Sequence, residues 1–425
     1  MSNYYDPSEK IREIQQLLVS DKKKIGFLFG AGTSLSKKCE NSPSIPAVYK
    51  MTQDVVDRLQ TSDKKYVEII KSIKSDIIDN NENFNIETLL SNVEGKISII
   101  GKGKLNGLDK TGFIELEAKI KNLVREIVSV HKNIDDKSQD MAQYDFSSWV
   151  KSAYRKYAIE IFTTNYDYLL EIGLEQNNVP YYDGFTGSYK PFFNSDSVED
   201  IHYLPQQTKL WKIHGSLGLH QDPVNQRITR SSSNKDDLLI YPSVLKYNNS
   251  KKQPYASFMD RLNSFLRQDD AVLFICGYSF NDEHINERIM SALQTDTTAH
   301  VYVLHYDITK NEKGLRVNSF SEESNLAKLA KRSRKLSILA TRKAMFGSKI
   351  GTWKLKREPD ISDTLNINWY FDEDAPYTES EISKEQKGNE QWTGEGELSI
   401  VDFSKFTKFL LNMIPNDNGD INKDD

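Results

Sequence analysis

Residues 25–34 constrain the fold of this chain more than any other segment. Ile25-Gly26-Phe27-Leu28-Phe29 is a short apolar run, and it passes without a spacer into Gly30-Ala31-Gly32-Thr33-Ser34. An uninterrupted apolar run suits a strand covered on both faces, as in parallel sheets. A strand leading straight into a glycine-rich turn is where an open α/β sheet places a phosphate, because glycine lets backbone N–H groups approach it closely. The spacing is not Gly-x-Gly-x-x-Gly, since Leu35 stands where the third glycine would fall. Taken alone, the turn reads equally well as a tight structural bend.

Three further strand-like runs end in polar tips. Ala158 to Thr163 precedes Thr164-Asn165-Tyr166-Asp167, Leu210 to Ile213 precedes His214-Gly215-Ser216, and Asp270 to Cys276 precedes Gly277-Tyr278-Ser279-Phe280-Asn281-Asp282. His300 to His305 is one more strand candidate. This pattern predicts an α/β, Rossmann-like open parallel sheet with a ligand crevice at the strand ends. Pro7 to Ser20 reads as a helix, and 51–149 as a helical insertion whose clearest face runs from Phe113 to Val130. The texture changes near Asp307, so we expect one domain over 1–307 and a C-terminal segment, basic at 328–357, over 308–414. That segment closes with an amphipathic helix at Leu398 to Ile414. The acidic tail, 415–425, is expected to be disordered.

Composition narrows the function classes. The chain has 425 residues, 38% apolar and 11% aromatic, enough for a sizeable core. Lys and Arg total 56 against 61 Asp and Glu, a net charge of −5 that argues against a dedicated nucleic-acid coat. Two cysteines, Cys39 and Cys276, can build neither a disulfide framework nor a four-cysteine zinc site. The polar start from Met1 to Lys10 lacks a secretory apolar stretch, and no apolar run nears the roughly 20 residues of a membrane helix. These features predict a soluble, cytoplasmic protein.

Each polar tip has an ordinary reading by itself. His214 is a lone histidine at a strand end, and Asn165, Asp167 and Asp282 are favoured helix caps. Their combination and order change the reading. The series Gly-Ala-Gly-Thr-Ser, Thr-Thr-Asn-Tyr-Asp, His-Gly-Ser, Gly-Tyr-Ser resembles the sirtuin family of NAD-consuming enzymes. The resemblance implies that Gly30, Ala31, Gly32, Thr33 and Ser34 wrap the pyrophosphate and ribose of NAD+. It puts Asn165 and Asp167 near the nicotinamide ribose, with Thr164 where the family commonly has Gln. His214 matches the catalytic histidine. Gly277 and Ser279 match a loop on the adenosine side, which Tyr278, Phe280 and Asp282 would extend.

The departures point to a subgroup. The family's zinc ribbon of two Cys-x-x-Cys pairs is beyond this chain, so no metal is expected. The Pro-Asp-Phe-Arg segment of deacylases is missing, with Pro46-Ala47-Val48-Tyr49 in its place. The Thr-Thr-Asn-Tyr-Asp and Gly-Tyr-Ser-Phe-Asn-Asp variants, with Tyr241-Pro242-Ser243 and Lys246-Tyr247, look more like bacterial sirtuin-like proteins of anti-phage defence. That resemblance implies an NAD+ glycohydrolase that forms homo-oligomers and assembles with a HerA-like hexameric ATPase.

The residues suit that chemistry. The nicotinamide–ribose bond breaks through an oxocarbenium-like state with a leaving group that is already cationic, so the enzyme needs to hold the ribose and supply a nucleophile. A neutral imidazole serves as base for water near pH 7. Protein deacylation and ADP-ribosyl transfer would use the same NAD+ site, and a pure NAD+ or ADP-ribose sensor would keep only the glycine loop. A separate reading starts from Lys328–Arg357, which holds eleven Lys or Arg and no Asp or Glu. Such a run could grip a nucleic-acid backbone, as in a nucleic-acid binder or nuclease, or form a solvated face or acidic-partner surface.

Overall fold

A computed structural model describes residues 3–222, 224–232, 253–311, 314–358 and 393–414. Tyr241-Pro242-Ser243, Lys246-Tyr247 and the 415–425 tail lie outside these residues.

Apolar runs alternate with helices along the chain, and the runs pair into one large sheet. Its central strands are β2 (Lys24–Phe29), β3 (Glu160–Thr163), β7 (Thr208–Lys212), β10 (Ala271–Cys276) and β11 (His300–His305). One edge is β4 (Tyr181–Tyr182); the other is built by β14 (Leu336–Ala340), β15 (Lys343–Phe346), β16 (Lys349–Trp353) and β1 (Tyr4–Tyr5). The order is β1-β16-β15-β14-β11-β10-β2-β3-β7-β4. Neighbours from β14 to β4 are parallel, and β15 is antiparallel to both β14 and β16. The expected α/β open sheet is therefore present, and it continues past Asp307 without interruption.

Helices cover both faces, as buried parallel strands require. One face carries α1 (Pro7–Val19), α7 (Ala142–Ser152), α8 (Leu169–Gln176) and the closing helix Phe403–Leu411. The opposite face carries the helices Tyr255–Leu266, Glu283–Leu293 and Asn325–Arg332. Side chains of β2 alternate between the layers: Phe27 and Phe29 face one, Leu28 the other. Buried Arg261 fixes the second layer to the sheet, its guanidinium meeting both Glu160 oxygens at 2.7 and 2.9 Å.

The helical insertion has a core of its own. Helices α3 (Val48–Ser62), α4 (Lys65–Asp79), α5 (Ile86–Ile99) and α6 (Lys110–Val128) pack around Val55, Tyr66, Ile73, Phe113 and Ile120. The last helix of the expected insertion, α7, belongs instead to the sheet, since Phe146 and Trp149 pack on Phe27. Two small antiparallel units hold the remaining described strands. One holds β5 (Phe185–Thr186), β6 (Phe192–Phe193), β8 (Leu219–Gln221) and β9 (Ile228–Arg230); the other pairs β12 (Ile308–Lys310) with β13 (Arg316–Asn318).

The basic run 328–357 is distributed over a helix and three strands. Lys335 Nζ caps the carbonyls of Thr295 and Thr297, Lys354 pairs with Glu395, and Arg342 lies beside Glu397.

The closing helix is part of the main core, because Phe406 is fully buried against Phe27 and Phe274. Phe406→Ala should destabilise the whole protein by about 3–5 kcal/mol, measured by urea unfolding.

Candidate functional site

Parallel register puts the four polar tips side by side. Cys276 pairs with Phe29, Phe29 with Thr163, and Thr163 with Lys212, so the chain leaves four adjacent strands at one edge. From β2 the chain builds β3, β4 and β7 on one side, then returns to build β10, β11 and β14 on the other. The β2/β10 boundary is thus the topological switch point, where open sheets bind ligands.

At that boundary two loops touch through bare backbone. A Cβ on Gly30 would lie 2.5 Å from the Gly277 carbonyl oxygen, and one on Gly32 would lie 2.7 Å from Gly277 Cα. Gly277 has φ +64°, and a Cβ there would meet Thr33 N at 2.5 Å. Gly30 N–H donates to Cys276 O, Gly32 N–H to Gly277 O and Thr33 N–H to Gly30 O. Three N–H groups of the turn are therefore engaged within the protein, while Ala31 is exposed at its surface.

Beneath the turn lies a buried polar chain. Asn165 Nδ2 contacts Gly30 O, Thr33 Oγ1 and Ser34 Oγ at 3.1, 3.2 and 2.9 Å. Ser34 Oγ then donates to Asp167 Oδ2 at 2.8 Å, and Asp167 Oδ1 accepts from Leu169 N–H at 3.0 Å. Asp167 thus ties the first N–H of α8 to the glycine turn. With the amide donors of Asn165 occupied, its Oδ1 is the atom left to accept from a ligand. Thr164 ties the tip to the central strand by donating N–H to Phe29 O.

His214 and Asp282 meet across the crevice. His214 Nε2 lies 3.0 Å from Asp282 Oδ2, with both side chains largely buried. Asp282 Oδ1 accepts from His284 N–H and Ile285 N–H, so this residue is a helix cap and a histidine partner together. The loop between them is buttressed from within. Tyr278 donates to Asp282 O or Asn286 Oδ1, and Asn286 Nδ2 donates to Phe280 O. Burial, then the nearby Asp282 charge, pushes the Tyr278 phenol above its ordinary pKa. Tyr278 and Phe280 therefore face the core, Phe280 at a left-handed φ of +59°, while Ser279 is exposed.

Several supporting residues escape a reading of the sequence. Gln143 Nε2, from α7, donates to Thr33 O at 2.8 Å. Lys212 Nζ donates to the Asp167 carbonyl and pairs with Glu171 at 2.9 Å. Gln143 stands close to Asp140 and Asp145, so nothing in the sequence singles it out. The helical insertion reaches the same region, where Met51 and Val128 pack with Leu217, Tyr166 and Tyr168.

Residues 159–328 match the family model described as SIR2-like domain. This segment is similar to that family. SIR2-like domains use NAD+, and the matched span carries Asn165, Asp167, His214 and the 277–282 loop; the glycine turn of β2 precedes it. No curated protein matches the chain. Among solved structures, cytosolic 5'-nucleotidase IIIB bound to cytidine aligns over 80% of this chain and 87% of its own, at 9% identity and a TM-score of 0.29. That similarity is too low to support any shared property. Among the described residues, no group of three or more His, Cys, Asp or Glu is placed to hold a metal, and no helix is long and apolar enough to cross a membrane.

Because the Gly277 backbone both touches Thr33 and needs positive φ, Gly277→Ala should cost about 1–3 kcal/mol in urea unfolding. Gly95→Ala, with open space around its Cβ, should cost nothing and should raise stability slightly within its helix.

Proposed function

We propose that this protein hydrolyses NAD+ to nicotinamide and ADP-ribose at the β2/β10 crevice. The observation that carries the reading is the meeting of the His214–Asp282 pair and the Asn165–Ser34–Asp167 chain at one row of strand ends, all but Ser34 within the segment similar to SIR2-like domains. Asp282 holds the His214 imidazole in place through Nε2, and an imidazole is a suitable base for water near neutral pH. Asn165 Oδ1 accepts from a ribose hydroxyl or from the attacking water. Water adds to the anomeric carbon, the C–N bond electrons leave with nicotinamide, and the water proton passes to His214. On this reading the glycine backbone and Ser34 receive the pyrophosphate side of the dinucleotide.

The cellular setting follows from the motif resemblance. The reading assigns the protein to antiviral defence in the cytoplasm, as a homo-oligomer governed by assembly with a HerA-like ATPase. Nucleic acid would then be engaged through that complex.

His214→Ala should lower nicotinamide release on the order of 10²- to 10⁴-fold with its melting temperature nearly kept. Asn165→Ala should act on the same step, and the double variant should fall far short of the product of the two losses. Nicotinamide release and thermal unfolding on the same samples check this. A destabilised but fully active His214→Ala protein would remove His214 from the mechanism.

A further inference from the structure

Lys212 ends β7 two residues before His214, and the parallel register sets it beside Thr163, the last residue of β3. Its side chain is only 6% exposed, and that of its partner Glu171, on α8, is 14% exposed. Taking an ion pair out of water often costs as much as the pair returns, so an apolar pair of similar volume would stabilise the fold as well. A methionine at 212 would fill the same space, but it has no hydrogen to donate. Lys212 Nζ donates to the Asp167 carbonyl while it pairs with Glu171 at 2.9 Å.

That bond joins two segments of the site. The Asp167 carboxylate is engaged by Leu169 N–H and Ser34 Oγ, so the lysine adds a third hold on this residue through its carbonyl. The Lys212 carbonyl in turn accepts from Gly215 N–H, at the bend where Gly215 takes φ +89°. One residue therefore grips the 164–168 tip with its side chain and starts the 214–216 turn with its backbone. Two more bonds cross between these segments: Leu217 N–H donates to Tyr166 O, and the Tyr168 hydroxyl donates to Leu217 O. Of these three crosslinks only that of Lys212 has a charged donor, which makes it the stronger kind. Asn165 and His214 lie on the two segments and come from different strands, so their spacing depends on the crosslinks.

We propose that Lys212 is a positioning residue for the reaction at this crevice: through the Asp167 carbonyl it sets the separation between Asn165 and His214. The chemistry of this assignment rests on the NAD+ reading, and its geometry rests on the Lys212–Asp167 bond. Glu171 holds the ammonium on that carbonyl. Lys212 touches no substrate, and its effect reaches the reaction through the tip it holds.

Nicotinamide release and hydrogen–deuterium exchange test the proposal on four full-length proteins: the unmutated chain, Lys212→Met, Glu171→Gln and the double variant. Lys212→Met strands a buried carboxylate, so the double variant removes both ends of the pair and keeps a folded protein to measure. In both proteins that lack Lys212, kcat should fall about 10- to 100-fold, the cost of a small misplacement of reacting groups. KM for NAD+ should stay within about threefold, because the glycine turn keeps its own bonds. Glu171→Gln should lose at most about threefold, since its amide oxygen still accepts from Lys212. Without ligand, residues 164–168 should exchange faster in both proteins that lack Lys212, while β2 and β10 should not. A folded double variant with full kcat would overturn the proposal, as would a change in KM alone or unchanged exchange at 164–168. An unmutated protein that releases no nicotinamide would instead overturn the NAD+ reading, and the exchange result then decides whether Lys212 fixes the tip.

Discussion

The contact between two backbones at the switch point is the constraint on which the rest of this structure depends. Gly30, Gly32 and Gly277 bring the turn after β2 and the turn after β10 within van der Waals reach, closer than any Cβ would allow. That approach draws the 277–282 loop inward and delivers Asp282 to His214, 68 residues away in sequence. It also closes the turn over the buried amide of Asn165. A larger residue at any of these glycines would separate the two halves of the site.

Around this contact, single carboxylates join two elements through different oxygens. Asp282 uses one oxygen to cap a helix and the other to hold an imidazole. Asp167 splits its carboxylate between α8 and Ser34. Such sharing lets one carboxylate bond a helix start and a second side chain at once. It also means that substitutions at these positions act on stability and geometry together, which is why turnover and unfolding belong in the same experiment.

Much of this was legible in the sequence because each central strand is an apolar run closed by a polar tip. Ile25–Phe29, Ala158–Thr163, Asp270–Cys276 and His300–His305 all fall on observed strands within two residues. The edge strands β14 to β16 were hidden, since the lysines and arginines between 328 and 357 read as a charged run rather than as a sheet margin. Strands of two or three residues, such as Phe185–Thr186 and Phe192–Phe193, carry too few alternations to register. Lys212 and Glu171 escaped for a physical reason of another kind. A charge in a strand or helix reads as solvent-facing until its partner is placed beside it, and here the partner comes from a different element.

Hydrogen–deuterium exchange with and without ADP-ribose tests the central claim, that the four strand ends form one ligand site. The account predicts slowed exchange together in residues 30–36, 164–168, 213–217 and 277–283, with the outer faces of α4 and α5 unchanged. Protection confined to one of these loops, or falling elsewhere with all four unaffected, would contradict it.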